Sequence, residues 1–372
     1  MTFSCEKNVI LEAVNTVIKV VPSKSSIPVL EGIFVEITDD KKIRLVGSDI
    51  DIGIETFRAL DNAEGCGAFV ANAKTFGEML SKLENGTVFF TLDEKNVLHM
   101  ICGVIKYDLP CIDASLYPSM PMIEKSKSLS LKKSVLHSML RQTLYAVSNN
   151  DTRPILRGAL FDIEKESITV VASDTFRLAM RKEIFENPNE ENFSFIVPGR
   201  TLSELTKIMK NDDENVDIGI ASTHISFEFD ETKIQSKLLA GEFLNYKNII
   251  PKEFKTTVKV DTDNLKRAIE RAAVLISEKI KNPVRMSFGF DSVVVSCRTP
   301  EGSSLTDEIS AEIKGENIEI GFNDKYLIDA LNASEKDKIH FNLNSPVTPM
   351  CITPEDSDSF VFLISPMRLR ND

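Results

Sequence analysis

The chain has 372 residues, of which 42% are hydrophobic and 27% charged, an ordinary composition for a globular protein. Its length favours two or three domains. No run approaches the roughly 18 apolar residues of a membrane span, so no membrane partner is expected. Taken whole, the net charge of −12 argues against nucleic-acid binding, because phosphates attract cations.

The N-terminus and the cysteines indicate a cytoplasmic protein. The opening stretch MTFSCEKNVILEAV has acidic residues inside a helical pattern and no small-residue cleavage site, so it is not a signal peptide. The cysteines stand singly, mostly in apolar runs, as buried reduced thiols do, and no two have the spacing of a zinc pair. We therefore expect no metal and no other cofactor. The cysteines are Cys5, Cys66, Cys102, Cys111, Cys297 and Cys351.

The chain opens with a short strand that leads into an amphipathic helix, and this pattern occurs three times. Two alternating apolar residues are followed by further residues at helical spacing. The second copy starts 126 residues after the first, and the third follows 129 residues after the second. The three sets are Phe3, Cys5, Ile10, Ala13 and Val17; Leu129, Leu131, Leu136, Met139 and Thr143; and Val258, Val260, Leu265, Ala268 and Ala272.

A hairpin and a second helix are predicted next in each copy. In the first copy, Val35 and Ile37 alternate before the turn 38–41, and Ile43 and Leu45 alternate after it. The equivalent residues are Phe161, Ile163, Ile168 and Val170, and then Phe288, Phe290, Val293 and Val295. The second helices are predicted in VANAKTFGEMLSKL (70–83), IVPGRTLSELTKIM (196–209) and IGFNDKYLIDALNA (320–333), with starts near Asn72, Pro198 and Asn323.

The chain is therefore predicted to contain three copies of one unit of about 125 residues. Breaks rich in Pro and Lys, PSMPMIEKSK (118–127) and IPKEFK (250–255), separate the copies. Repeats of this length are domains, since the turns of a solenoid have periods of about 20 to 50 residues. We expect domains at 1–122, 128–250 and 254–372. The expected fold class is α+β, with two helices packed on antiparallel sheets in each domain.

The predicted helices are basic although the chain is acidic. Together they hold 17 Lys and Arg against 10 Asp and Glu, so the remaining residues total −19. A face built from such helices would attract a polyanion, while the other surfaces would repel it. The same composition also suits ordinary solvated helices, because Lys and Arg have good helix propensity, and charge alone does not decide between the two. The windows counted are 6–24, 73–84, 131–150, 199–210, 262–281 and 323–333.

No catalytic site is apparent from the motifs. GxGxxG, GxxxxGK[ST] and GxSxG are absent, as is the set of kinase motifs. Asp49 and Asp51 resemble a carboxylate pair, and Ser173-Asp174 stands at the matching strand end of the second copy. Their spacing fits a structural role better, in which the carboxylates accept backbone N–H groups at a strand end. Three equivalent domains without a catalytic cluster favour a scaffold over an enzyme.

Several segments, in order along the chain, resemble the bacterial DNA polymerase III beta subunit family, the sliding clamps. They are SIPVLEGI (26–33), VVASDTFRLAM (170–180), FIVPGRTLSEL (195–205), KLLAGEFLNYKNIIP (237–251), IGFNDKYLIDAL (320–331) and the terminal SPMRL (365–369). The resemblance covers essentially the whole chain. It implies a processivity factor and not an enzyme. It also implies a head-to-tail homodimer that forms a closed ring around DNA, with helices lining the hole and sheets outside.

The resemblance also implies partners and site residues. The partners are double-stranded DNA of any sequence, a second copy of the chain, the replicative polymerase, a clamp loader and other proteins with a clamp-binding motif. The DNA-facing residues would be Lys24, Lys74, Lys132, Lys133, Arg141, Asn150, Arg200, Lys207, Lys266 and Arg267. A pocket for partner peptides would comprise Leu156, Ser173, Thr175, Phe176, Arg177, Leu178, Leu244, Ile249, Asn323, Tyr326, Pro366, Met367 and Arg368. The dimer interface would include Tyr107, Leu109, Val274 and Leu275.

Some residues depart from the pattern of the family. Thr175-Phe176 stands where many members have Gly-His or Ser-His, and Asn248 stands where many have Arg. SPVTPM (345–350) aligns with the family in more than one way, and residues 370–372 extend beyond its usual end. Two other classes of protein remain as alternatives. One is an enzyme with an unrecognised site, and the other is an adhesion or structural protein built from repeats.

Overall fold

The structure, a computed structural model, describes residues 1–121, 123–150, 152–276 and 282–369. The chain divides into two compact units, one formed by Met1–Ser134 and Ser203–Leu238 and the other by Val135–Leu202 and Leu239–Asp372. The second repeat contributes to both units, so the compact units cross the domain limits predicted from the sequence. Those limits remain a prediction.

The first unit contains two sheets within the described residues. The smaller sheet has the strand order β5 (Asn62–Glu64), β1 (Thr2–Glu6), β7 (Thr87–Leu92), β8 (Val97–Cys102) and β9 (Ile105–Pro110). The larger sheet has the order β10 (Ile112–Asp113), β6 (Gly67–Asn72), β2 (Gly32–Ile37), β3 (Lys42–Ser48), β4 (Ile52–Ala59), β18 (Thr232–Lys237), β17 (His224–Phe229), β16 (Asn215–Ile220) and β11 (Lys127–Lys132). It joins strands of the first and second repeats through the β4–β18 pair.

The second unit is built on one long sheet. Its order is β15 (Phe193–Pro198), β12 (Gly158–Ile163), β13 (Ser167–Ser173), β14 (Arg177–Ile184), β26 (Phe360–Ile364), β25 (Met350–Pro354), β24 (Lys338–Leu343), β19 (Thr256–Asp261), β22 (Ser304–Gly315), β21 (Ser292–Arg298), β20 (Val284–Gly289) and β23 (Ile318–Phe322). The β14–β26 pair joins the second repeat to the third as β4–β18 joins the first to the second. Throughout the described part of the chain, the strand pairs are antiparallel.

Each repeat has the two helices that periodicity predicts, so the α+β class is confirmed. The helices are α1 (Lys7–Val17) and α2 (Ala73–Lys82), α3 (Lys133–Thr143) and α4 (Gly199–Ile208), a one-turn α5 (Tyr246–Ile249), and α6 (Thr262–Ala273) and α7 (Asp324–Ser334). In their respective units, α1 packs against α2 and α6 packs against α7. Side-chain caps start α2, α6 and α7, and at α6 Asp261 Oδ1 accepts from Asn264 N at 2.9 Å. Asn72 Oδ1 accepts from Thr75 N at 3.0 Å, and Asn323 Oδ1 accepts from Tyr326 N at 3.1 Å.

The residues that defined the repeats form the cores. All fifteen lie in the predicted strand or helix of their copy, and each is at most 7% exposed. Burial of these apolar side chains, which the alternating and helical periods place on one face, accounts for the position of each helix on its sheet.

The predicted hairpins are also present, with one difference in the third repeat. Phe290 does not continue the strand as its alternation predicted, because it occupies the turn between β20 and β21 at φ +54° with 88% of its surface exposed. The carboxylate of Asp49 accepts backbone N–H groups at a strand end, as expected. Among the described residues, none of the helices is both long and apolar enough to span a membrane.

Candidate functional site

Most of the basic residues predicted to face DNA are exposed on or beside helices. In the first unit these are Lys24, Lys74, Lys132 and Lys207, and in the second they are Arg141, Arg200 and Arg267, with Asn150 also exposed and Lys266 half-buried. Some already have acidic neighbours. Lys207 Nζ lies 2.8 Å from a carboxylate oxygen of Glu204, and Arg141 Nε lies 3.1 Å from one of Glu335.

Lys133 is an exception, and its assignment to a DNA-facing surface was wrong. Its side chain has no exposed surface, and its ammonium lies 3.0 Å from carboxylate oxygens of Asp212, Glu214 and Asp230. Burial lowers the pKa of Lys133, but the hydrogen bonds to these carboxylates outweigh burial and raise the pKa above its ordinary value. Lys133 therefore ties the start of α3 to two loops of the first unit.

The strongest candidate site in the second unit is built around a tight turn at residues 173–177, which we call the pocket turn. Ser173 Oγ donates to Arg177 O at 2.8 Å, while Asp174 Oδ1 accepts from the N–H groups of Phe176 at 2.9 Å and Arg177 at 3.0 Å. Thr175 has φ +80°, a left-handed conformation that β-branched residues rarely adopt. The turn holds Phe176 in solvent, with 60% of its surface exposed.

Arg177 links the pocket turn to α7. Its Nε lies 3.0 Å from Asp174 Oδ2 and its Nη1 lies 2.5 Å from Asp329 Oδ2. The guanidinium carbon also lies 5.2 Å from the ring centre of Tyr145 and 4.5 Å from that of Tyr326, within cation–π range. Burial raises the pKa of Tyr326, so this ring stays neutral. Two carboxylates and two aromatic rings thus contact Arg177. These contacts connect the pocket turn to α7.

The C-terminal segment runs past the pocket turn to the edge of β23. Ser365 N donates to Phe176 O at 2.8 Å, and Met367 N donates to Gly321 O at 2.7 Å. A Cβ on Gly321 would lie 2.9 Å from Met367 O and 2.7 Å from a methyl carbon of Leu369, so only glycine permits this approach. The segment is therefore fixed beside the start of α7.

An apolar floor continues from the turn along β14. Leu178 belongs to a buried cluster with Leu160, Val171, Ile196, Tyr246, Cys351, Val361 and Leu363. Burial raises the pKa of Cys351 to about 12, so its thiol stays neutral. Several half-buried apolar residues pack on the cluster, and they are Ile155, Met180, Leu239, Phe243, Leu244, Ile250 and Phe254. A half-exposed apolar surface on a buried floor is suited to receive apolar side chains of a ligand.

A cavity of about 280 Å³ opens beside this floor. It is lined by Arg153, Ile155, Leu156, Glu242, Phe243 and Leu244. A larger depression of about 410 Å³ lies around Phe290, but it includes none of the predicted site residues. We assign the site to the smaller cavity because three of its lining residues, Ile155, Phe243 and Leu244, pack on the buried cluster that contains Leu178.

The structure thus brings most of the predicted pocket residues into two adjoining groups. The first group, at the pocket turn, the start of α7 and the C-terminal segment, contains Ser173, Thr175, Phe176, Arg177, Asn323, Tyr326, Pro366, Met367 and Arg368, and the second group, which is apolar, contains Leu156, Leu178 and Leu244. Ile249, 45% exposed, ends α5 beside Ile250 of the same cluster. Residues 345–349 lie between β24 and β25, Met350 begins β25, and the tail 370–372 lies outside the described residues.

Sequence reasoning missed several residues of the site. Arg153, Ile155, Glu242 and Phe243 line the cavity, and their closeness to Leu156 and Leu244 in the sequence was an available signal. Asp329 offered no comparable signal, because it meets Arg177 across 152 residues of chain.

The residues predicted at the dimer interface differ in exposure. Val274 is 82% exposed and Leu275 is half-buried at the end of α6. Tyr107 is half-buried and Leu109 is 4% exposed, both in β9 at the edge of the smaller sheet of the first unit. The Leu109 side chain is therefore already part of the core of its own chain, and only the backbone of β9 offers a free edge at that position.

Comparison with known proteins matches the whole chain to one family. The N-terminal, central and C-terminal domains of the DNA polymerase III beta subunit match residues 1–121, 130–245 and 247–368. The beta sliding clamp of Bacillus subtilis is 33% identical over 99% of this chain and 100% of its own length.

Solved structures agree. A DNA polymerase sliding clamp from Bacillus subtilis superposes with a TM-score of 0.94 at 32% identity, over 100% of both chains. A sliding clamp from Pseudomonas aeruginosa, bound to griselimycin, has a TM-score of 0.94 at 25% identity over 99% of this chain and 100% of its own.

Proposed function

The chain belongs to the DNA polymerase III beta subunit family, the bacterial sliding clamps, and we propose that it works as a ring closed by two subunits. Membership makes it a processivity factor for DNA polymerase built from three clamp domains, and it is an accessory protein without catalytic activity. The observation that carries this conclusion is the match of all three domains, in order, to residues 1–121, 130–245 and 247–368. DNA, a polymerase and a clamp-binding ligand follow as its partners.

The dimer proposal rests on two free strand edges. In the described residues, β9 forms the edge of its sheet, and residues 304–310 of β22 pair with β21 alone. Such edges expose unpaired N–H and C=O groups that another chain can complete. We place Tyr107 and Leu109 of one subunit opposite Val274 and Leu275 of the next. This head-to-tail contact closes after two subunits.

Double-stranded DNA would pass through this ring and meet the basic helices. Exposed Lys and Arg contact phosphates without reading base sequence, so binding depends on salt and leaves the ring free to slide. The proposed set is Lys24, Lys74, Lys132, Arg141, Asn150, Arg200, Lys207, Lys266 and Arg267. A ring on DNA keeps a bound polymerase at high effective concentration near its template.

The pocket beside residues 173–177 is the proposed docking site for partner peptides. Its floor suits apolar side chains, while the pocket turn and the C-terminal segment offer backbone groups and the exposed Phe176 at the rim. The replicative polymerase, a clamp loader and other proteins with a clamp-binding motif would compete for it. We propose that griselimycin binds in this pocket too. We also propose that the protein works in the cytoplasm, where the chromosome is copied.

Substitution at the C-terminal segment tests the pocket. Met367→Ala with Arg368→Ala should weaken griselimycin binding at least tenfold in isothermal titration calorimetry, because both residues closely follow Ser365, whose N–H group is bonded to the pocket turn. Phe290→Ala is the matched control, since it removes an exposed aromatic of the same unit far along the sheet. Light scattering should show an intact dimer of about 83 kDa, twice the 41.6 kDa chain, for every variant. An unchanged affinity for griselimycin would contradict the assignment of the pocket to this location.

A further inference from the structure

The pocket turn has a structural copy in the first repeat, at residues 48–52, which we call the first-repeat turn. Ser48 Oγ donates to Ile52 O at 3.2 Å, and Asp49 Oδ1 accepts from the N–H groups of Asp51 at 3.1 Å and Ile52 at 3.0 Å. Ile50 has φ +90° and occupies the position of the left-handed Thr175. The same bonds, in the same order, form the pocket turn.

The neighbouring strand docks against each turn in the same way. β18 pairs with β4 beyond the first-repeat turn, and β26 pairs with β14 beyond the pocket turn. At the end of the docked strand, Lys237 N donates to Asp51 O at 2.9 Å, while Ser365 N donates to Phe176 O at 2.8 Å. The two turns therefore share their internal bonds and their contact with the next repeat.

Both turns also keep a strained residue in contact with solvent. A β-branched residue in the left-handed region costs about 1–3 kcal/mol, and such strain clusters at ligand sites. Ile50 is 57% exposed, so the first-repeat turn presents an apolar side chain to solvent, as the pocket turn does with Phe176. The strained β-branched residue is therefore a further feature that the two turns share.

The two turns differ at the first residue that follows them, which is Leu178 after the pocket turn and Gly53 after the first-repeat turn. Leu178 contributes a side chain to the floor of the pocket, whereas Gly53 has none at the equivalent position. Met120 lies over Gly53, since a Cβ placed there would be 2.9 Å from its Cε and 3.3 Å from its Sδ. Met120 belongs to the segment 118–121 that connects the first repeat to the second.

We infer that the first repeat holds a second peptide site, on the first-repeat turn, which Met120 fills from the chain's own connecting segment. The inference rests on the function proposed for the pocket turn. The ligand class is a short extended peptide that inserts an unbranched apolar side chain. As long as Met120 occupies the first-repeat turn, only the pocket beside residues 173–177 is open among these two sites. A tethered side chain competes at an effective concentration of about millimolar, which keeps weak ligands out.

Removing the Met120 side chain should open the site to the same segment supplied as a separate peptide. The probe is a fluorescein-labelled octapeptide, ASLYPSMP, copied from residues 114–121. Binding is measured by fluorescence polarisation with Met367→Ala and Arg368→Ala present in every chain, so that the pocket cannot contribute. Adding Met120→Ala should tighten binding at least tenfold, and Met120→Leu should restore the weak binding of the closed site. The control peptide ASLYPSAP should bind none of them.

A second variant protects the test against loss of folding. Gly53→Ala places a methyl group 2.9 Å from the position of the Met120 Cε atom, so adding it to Met120→Ala should obstruct the methionine of ASLYPSMP and cancel the gain in affinity. Equal and weak binding by all variants that melt at the parent's temperature would overturn the inference. Griselimycin binding to the unmodified chain tests the proposed pocket separately, so a failure there is distinguishable from a failure here.

Discussion

A lysine without exposed surface shows how one residue can be assigned to the wrong role. Lys133 lies beside Lys132 in a basic segment, but Lys132 ends β11 and Lys133 begins α3, and the two side chains lie in different environments. Lys132 has 57% of its side chain exposed, whereas Lys133 meets three carboxylates inside the first unit. Counting charges along a helix cannot separate these environments, because their partners come from loops about 80 residues later.

Lys133→Met should lower the free energy of unfolding by about 3 kcal/mol, because it leaves three clustered carboxylates without their cation. Urea unfolding followed by circular dichroism measures the change. Lys132→Met is the control and should leave stability unchanged, while reducing the salt dependence of DNA association. A stable Lys133→Met chain, or a reduced salt dependence in that variant, would contradict these roles.

Asp329 is the residue of the pocket that no local sequence pattern predicted. Asp329→Asn removes the charge that engages Arg177 and keeps the shape of the side chain. We expect griselimycin binding to weaken about tenfold, because the pocket turn is then less firmly held to α7. The control is Glu319→Gln, which removes the partner of Arg285 on the exposed side of the same unit. Equal affinity in calorimetry for Asp329→Asn and Glu319→Gln would show that Arg177 needs no help from α7.

At the scale of elements, strands and helices were predictable because their signals are local. Periods of two and 3.6 residues place Phe3, Ile10 and their equivalents in the core of every copy. The pocket turn was partly predictable, since Ser173-Asp174 at a strand end marks a side chain that accepts backbone N–H groups. Phe290 was misplaced because its alternation continues through a turn. The contact of Arg177 with Asp329 and that of Met120 with Gly53 join segments that are distant in the sequence. The periodicity of a sequence does not reveal such contacts.

The β8–β9 pair, at the proposed dimer edge, carries a pH-dependent contact. His99 on β8 lies with Nδ1 2.6 Å from Asp108 Oδ1 and Nε2 3.4 Å from Asp93 Oδ2. The hydrogen bond with Asp108, then that with Asp93, raises the pKa of His99 above its ordinary value. A raised folded-state pKa means that the contribution to stability is complete below about pH 6.5 and is lost as the pH rises through the folded-state pKa.

NMR titration of the His99 ring checks this contact. We expect a pKa above 6.5 in the unmodified chain and a lower value in Asp108→Asn. His99→Asn should remove the part of the pH dependence of unfolding that falls between these values. His224, which lies 2.8 Å from a hydroxyl of Thr223 and not beside a carboxylate, serves as the internal control. A His99 pKa that does not respond to Asp108→Asn would rule the contact out.

At the scale of the whole molecule, charge and topology act together. The chain is acidic overall, with −12 charges, while α2, α3, α4 and α6 each hold more Lys and Arg than Asp and Glu. An acidic outer surface would repel DNA everywhere except where the basic helices face it. Retention on DNA would then depend on the closed ring proposed above more than on the strength of individual phosphate contacts, and this is what a processivity factor requires.

Loading onto nicked circular DNA, with the clamp loader of the same organism, tests this account most directly. The complex is passed through gel filtration before and after a single cut linearises the DNA. We predict that the protein elutes with the circle and is released once the DNA has free ends. Retention on the linear form, or no retention on the circle despite an active loader, would contradict the account.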